Sequence, residues 1–161
     1  MSDHNEAFVK SMEEATITQI QNVLKSVDKA CIILEAEAKK ECPVDQGILR
    51  ASITHETVLG TDLITGTVGS PLEIAPYVHQ GTGLYAKDGK GRKTPWVYIK
   101  GSYSSRKSKK VYTLSEAKRV MAFLRKKGFN AYVTQGQKPN PFLDRAKLNA
   151  KSRIEKTLGG K

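Results

Sequence analysis

Ala86 to Thr94 read AKDGKGRKT, with glycines alternating with cations as in a loop that cradles phosphate. Phosphate-loop chemistry has a strict spacing, G-x-x-x-x-G-K-[ST]. Backbone N–H groups must curl around the phosphates, and a hydroxyl must reach the magnesium ion. Gly89-Lys90 is followed by Gly91 where the hydroxyl belongs, and Leu84 stands where the first glycine belongs. Gly89-Lys90-Gly91 continues as Arg92-Lys93-Thr94, so no dinucleotide fingerprint is present either. A solvated basic loop is the plainer reading.

Other catalytic constellations are missing from the sequence. His4, His55 and His79 have no partner at the spacing of a helical or zinc-finger metal site. There is no H-E-x-x-H, G-x-S-x-G or C-x-x-C. Asp45, Asp62, Asp88 and Asp144 are scattered and read as caps or turn residues. No enzyme activity, cofactor or metal is expected. Cys31 and Cys42, the only cysteines, both fall in what reads as one helix, eleven positions apart. That places them too far apart for a disulfide, so both are expected to be free thiols, with Cys31 in the core.

Charge is the strongest global signal. The net charge of +11 is unevenly distributed. Residues 1–56 hold six Lys/Arg against ten Asp/Glu, whereas 87–127 hold fourteen against two and 138–161 seven against two. Such polarity suits nucleic acid, or the acidic face of another protein copy. Tyr98, Tyr103 and Tyr112 lie among Lys100, Arg106, Lys107, Lys109 and Lys110. Aromatics among cations can stack on bases while the cations neutralise phosphate. Lys90, Arg92, Lys93, Arg106, Lys107, Lys109 and Lys110 are therefore candidate contacts to DNA or a partner. No apolar run is long enough to span a bilayer, and the polar start MSDHNEAFVK is unlike a secretory signal. A cytoplasm is the expected folding compartment, and 161 residues suffice for one domain with its own core.

The elements that would position these residues follow from periodicity. Ala7 to Glu41 contain no Gly or Pro, and apolar or small residues recur in steps of three or four from Val9 through Ala38. This predicts one long amphipathic helix. The stripe is expected to pack in the monomer core, with part of it meeting another subunit as the alternative, because a helix of that length can outrun a small core. Pro43 should end the helix. Asp45 is placed to cap a short turn through Leu49 and Arg50, with Gly47 relieving crowding and Val44, Leu49 and Ile53 as anchors. Ser52–Val58 and Ile64–Gly69, joined by a short glycine-containing link, read as an antiparallel hairpin. Pro76 to Thr82 form a short ordered element, strand or helical turn. Trp96–Ile99 is a strand candidate. Val111–Thr113, a helix through Ala117, Val120, Met121 and Leu124 opened by a Thr113/Glu116 capping box, and a strand over Asn130–Val133 make a βαβ-like insert at about 104–133. Pro139 and Pro141 enforce an extended approach to Phe142-Leu143. A last helix over 144–158 carries Ala146, Leu148, Ile154 and Leu158. The fold class is α+β: long N-terminal and C-terminal helices on a small, mostly antiparallel sheet, with the insert.

Four landmarks now stand in order: the long helix, CPVDQGILRASI, PYVHQGTG, and GKGRKTPWVY with GQKPNPFL. Together they resemble a family of structural proteins from long-tailed phages and prophages, the neck, head–tail joining or tail-completion components. The resemblance covers about 30–101 and 136–156. It assigns Pro43, Val44, Asp45, Gly47, Leu49 and Arg50 to one family turn. Tyr77, Val78, Gly81 and Thr82 belong to a second signature, and Pro139, Pro141, Phe142 and Leu143 to a third. All would have architectural roles. Gln46 departs from the usual Thr, His79-Gln80 from the usual acidic residue, and Asp144-Arg145-Ala146 from the usual ending. The insert lies where many relatives have a short loop. The resemblance implies a virion protein, assembled in the host cytoplasm, whose copies form a ring with six as the expected number. It would adjoin other neck and tail proteins and make nonspecific contact with packaged DNA.

Overall fold

The computed structural model describes residues 2–101 and 111–159. The chain is α+β, and it folds as two compact units. One comprises the chain up to Leu72 together with the chain from Phe142 onward; the other comprises Glu73–Pro141.

In the first unit, α1 (Ser2–Glu41) packs against α5 (Phe142–Thr157) and against a hairpin of β1 (Thr54–Leu59) and β2 (Ile64–Gly69). Absence of Gly and Pro lets α1 run for 40 residues. Only its C-terminal part enters the core, through Ala30, Cys31 and Ala38, followed by Cys42 just past its end. The opposing helix buries Phe142, Ala146 and Ala150, a strict i, i+4, i+8 row. Small side chains on both helices permit close approach of the axes. Glu41 meets Arg145 while Glu37 meets Arg153, so the helices run antiparallel. Of the apolar residues that the sequence places on this helix, Ala146 is buried and Ile154 half-buried, while Leu148 is 72% exposed and Leu158 52%. The two leucines lie off the face marked by the alanines.

The turn after α1 also differs in detail. The short helix α2 (Ile48–Ala51) starts at Gly47, which has φ 80° and no side-chain cap. Asp45 is exposed upstream of it and is not the cap. Gly47 is required by its left-handed backbone rather than by crowding, because a Cβ there would meet nothing within 4 Å. Val44 is exposed, Leu49 half-buried and Ile53 fully buried, so Ile53 is the anchor. Ser52 links this turn to the end of the hairpin through Ser70, 2.7 Å away. The hairpin pairs Thr54 with Gly69 through Leu59 with Ile64. It presses onto α1 at Gly66, where a Cβ would lie 2.3 Å from the Cys31 sulfur.

In the second unit, PYVHQ is helical, within α3 (Ile74–Gln80). Pro76 is tolerated because the first turn of a helix leaves its N–H groups unpaired anyway. A 3-10 turn at Gly83–Tyr85 follows. Then β3 (Trp96–Ile99), α4 (Leu114–Lys126) and β4 (Ala131–Thr134) form a small layer, with β3 and β4 antiparallel in the register Trp96–Thr134. Val111–Thr113 is not a strand. The Thr113 N–H donates to the Glu116 carboxylate at 2.8 Å, and the Thr113 hydroxyl accepts from the Glu116 N–H, so the capping box consumes the groups a ladder would need. Trp96–Ile99 takes the strand role instead. Gly128, at φ 85°, closes α4 with both hydrogen bonds of a Schellman motif, Phe129 N–H to Leu124 O and Gly128 N–H to Arg125 O.

Candidate functional site

The Ala86–Thr94 loop spends its backbone donors locally. The Ala86 N–H donates to Gly83 O, Lys87 N–H to Gln80 O and Gly89 N–H to Ala86 O. Lys90 N–H donates to the Asp88 carboxylate at 3.1 Å. Gly91 packs so tightly on the 3-10 turn that a Cβ would fall 2.0 Å from Gly83 O. A phosphate cradle needs several N–H groups converging on one point, and here they diverge. The neighbouring hollow of about 250 Å³ is lined by Tyr77, Gln80, Thr82, Asp88 and Lys90, so a carboxylate shares its wall with the lysine.

The second and third signature segments are stitched together through their backbones. Thr82 N–H donates to Gln137 O at 2.9 Å, and Leu84 N–H to Gln135 O at 2.8 Å. Gln137 N–H donates to the Thr82 hydroxyl at 3.0 Å, and Asn140 N–H to Val78 O at 3.0 Å. Such close approach needs glycine: a Cβ on Gly81 would lie 2.8 Å from Gln137 O, and one on Gly136 2.0 Å from Thr82 O. Val78 is buried beneath this seam, Pro139 and Pro141 are half-buried, and Tyr77 is exposed. Pro43, Val44, Asp45, Gly47, Leu49 and Arg50 lie in the other unit, with Phe142 and Leu143. There Arg50 donates to Cys42 O at 3.3 Å, tying the turn to the end of α1. The signature residues thus form two joints, one per unit.

Of the candidate cationic contacts, Lys90 and Lys93 are exposed. Arg92 is half-buried, with its guanidinium 5.6 Å from the Trp96 ring centroid and donating to Thr94. Arg106, Lys107, Lys109 and Lys110 lie outside the described residues. The aromatic signal resolves in part. Tyr98 and Tyr132 stack on each other with centroids 5.6 Å apart, and Arg125 lies over Tyr132.

An ion-pair network along the end of α1 is absent from the sequence reading. Its members are Glu35, Glu37 and Glu41 on α1 and Arg145, Asn149 and Arg153 on α5. Arg153 reaches Glu37 at 2.6 Å and Arg145 reaches Glu41 at 2.7 Å. Burial pushes the Glu37 carboxyl up, but its bonds to Lys40 and Arg153 outweigh this and hold it below the ordinary carboxylate value. Lys39 and then His55 do the same for Glu35. The signal for this network was the acidic end of α1 set against a basic α5, with pairs advancing in opposite directions at helical spacing.

His55, on β1, joins the hairpin to the helix. Its Nδ1 pairs with Glu35, and its Nε2 lies 3.5 Å from Asp28, which also accepts from Thr57 at 3.1 Å. The Glu35 hydrogen bond raises the His55 pKa above 6.5, against the effect of burial. A raised histidine stabilises the fold fully below its free-chain value, and that contribution is lost as pH rises through the folded value. The lowered Glu35 contributes above the carboxylate range and is lost as pH falls through its own value. Wild-type protein is therefore expected to lose some stability on alkalinisation upward from 6.5, a modest amount because the cluster is partly exposed. Urea titrations at stepped pH should show this slope, and His55→Gln should flatten it. An equal slope in the variant would assign the dependence elsewhere.

Among the described residues, no three His, Cys, Asp or Glu are grouped so as to hold a metal ion. No helix there is long and apolar enough to cross a membrane. Both cysteines are free and buried.

The remaining functional feature is a surface. Every residue of α1 from Asn5 to Val23 is exposed. Phe8 is 65% exposed, Met12 55% and Ile17 55%, and with Val9 and Thr16 they line one hollow along the helix. The apolar track continues through Ile20 and Val23 to Leu59 and Leu63 at the hairpin tip, around a groove of about 420 Å³. An exposed contiguous apolar stripe on a polar-flanked helix is a candidate interaction surface. Comparison with known proteins finds no matching family model, no matching curated protein and no matching solved structure.

Proposed function

We propose that the protein is a structural component of a tailed phage or prophage particle, acting in head–tail joining or tail completion as one copy of a ring. The observation that carries the assembly part is the first half of α1. This arm of about 28 Å exposes its apolar stripe and has no core of its own to bury it. A closed ring of copies lets one surface of each subunit cover a different surface of the next. The virion part rests on the order of the three signatures. Their roles as backbone joints suit a load-carrying connector.

A second reading is nonspecific nucleic-acid contact through the basic 87–127 region, favoured by the exposed Lys90 and Lys93. Electron microscopy of lysates from the parent phage or prophage lacking this gene separates the two. Full heads beside finished, unattached tails are expected. Missing tails, or tails of wrong length, would move the protein into tail assembly proper. Intact infectious particles would end the joining reading and favour the second.

A further inference from the structure

The exposed stripe of α1 needs an occupant, and the chain itself carries a surface of matching chemistry. The arm is acidic: between Asn5 and Val23, Glu6, Glu13 and Glu14 stand against Lys10 alone. Helix α4 is the opposite. It carries Lys118, Arg119, Arg125 and Lys126 against Glu116. Its inner row is Ala117 with Val120, Met121 and Leu124, which face β3 and β4. Phe123 projects on another side, 57% exposed, with the Lys127 ammonium 4.7 Å from its ring centroid. Helical spacing places Arg119, Lys126 and Lys127 around that ring. Phe129, just past the Schellman turn, adds a second exposed aromatic. The helix stop takes only the Phe123 carbonyl, from the Lys127 N–H at 3.2 Å, and leaves the Phe123 ring exposed.

We propose that the α1 arm of one copy docks on the Phe123 side of α4 in a second copy. Apolar stripe meets exposed aromatics, and the arm's carboxylates meet the surrounding cations. Two like-charged arms pairing with each other would set Glu13 and Glu14 against their own kind, which disfavours arm–arm dimers. Arm on α4 is instead a head-to-tail contact between different surfaces, the kind that closes into rings or extends into filaments. Docking at α4 gives the insert a purpose: it is the receptor for the neighbour's arm. The inference deepens the assembly reading and shares its premise that copies associate, but it does not depend on the virion setting.

Sedimentation velocity on the full-length protein, over a range of concentration and salt, is the test. Wild type should associate, more weakly as salt rises. Ile17→Asp should give monomers with unchanged helical circular dichroism, because Ile17 lies outside the core. Glu13→Lys/Glu14→Lys and Arg119→Glu/Lys126→Glu should each weaken association by about tenfold or more, and mixing the two variants should restore it. Monomers at every concentration would overturn the proposal. So would assembly unchanged by the α4 charge reversal, which would leave the arms pairing elsewhere. If that reversal instead abolished binding of a duplex oligonucleotide while assembly persisted, α4 would be a nucleic-acid surface and the proposal would fall. The virion reading is judged separately: separated heads and tails in a deletion lysate uphold it even if this docking fails.

Discussion

Phe142→Ala is expected to destabilise the α1–α5 unit by about 3–5 kcal/mol. Phe142 and Ile53 are its largest fully buried side chains, and Phe142 has no exposed surface. Most of the remaining core consists of alanines and the two cysteines. A core with so few large residues depends heavily on each, and its small neighbours cannot swing in to fill the cavity. Domains of this size have total stabilities of about 5–15 kcal/mol, so the loss is a large fraction of the whole. Urea denaturation followed by far-ultraviolet circular dichroism, which reports chiefly the long helices, measures it. Leu148→Ala is the control: it sits on the same helix, is 72% exposed, and should change stability by less than about 0.5 kcal/mol. Comparable losses from both would show that the buried face of α5 has been misassigned.

Gly136→Ala should damage the other unit nearly as severely. Gly136 has φ 123°, a conformation that L side chains rarely adopt, and its new Cβ would lie 2.0 Å from Thr82 O. Strain and clash fall on backbone atoms that cannot rotate away. A loss of about 2–4 kcal/mol is expected, with the seam between the PYVHQGTG and GQKPNPFL segments pulled apart. Trp96, the only tryptophan, lies in this unit and provides the fluorescence signal. Gly128→Ala makes the comparison sharp. That glycine also has positive φ, at 85°, but no atom lies near its missing Cβ, so only about 1 kcal/mol should be lost. If the two substitutions cost the same, close approach is not what Gly136 provides.

Elements with strong local signals were legible in the sequence. The glycine-free, proline-free run predicted α1, and the Thr113/Glu116 box fixed the start of α4. The hairpin followed from its short glycine-containing link between two strand-like runs, and Trp96–Ile99 was already a strand candidate. Elements decided by tertiary pairing were not. Val111–Thr113 has strand propensity, but its polar groups are claimed by the helix cap, and β4 found Trp96–Ile99 instead. Asp45 looked like a cap because its residue type suits one, yet the backbone turns at Gly47 and starts the helix later. On α5 the sequence marked a helix but not its buried face, which close helix packing gives to Phe142 and the alanine row. The division into two units was equally hidden, since the chain leaves the first unit at Leu72 and returns at Phe142, seventy residues on. Three short signatures marked the joints, but sequence order cannot show that two of them are laced together by backbone hydrogen bonds. The stripe of α1 was expected in the core from Val9 onward, yet it is exposed as far as Val23, because the core formed by α5 and the hairpin covers only the C-terminal part of so long a helix; the functional account turns on that exposed half.

The most direct test of that account returns to the deletion lysate and adds the gene back. Wild-type protein should restore joined, infectious particles, while Ile17→Asp, folded but without its assembly surface, should leave full heads beside separate tails. Joined and infectious particles in the lysate that received no gene would contradict the account outright.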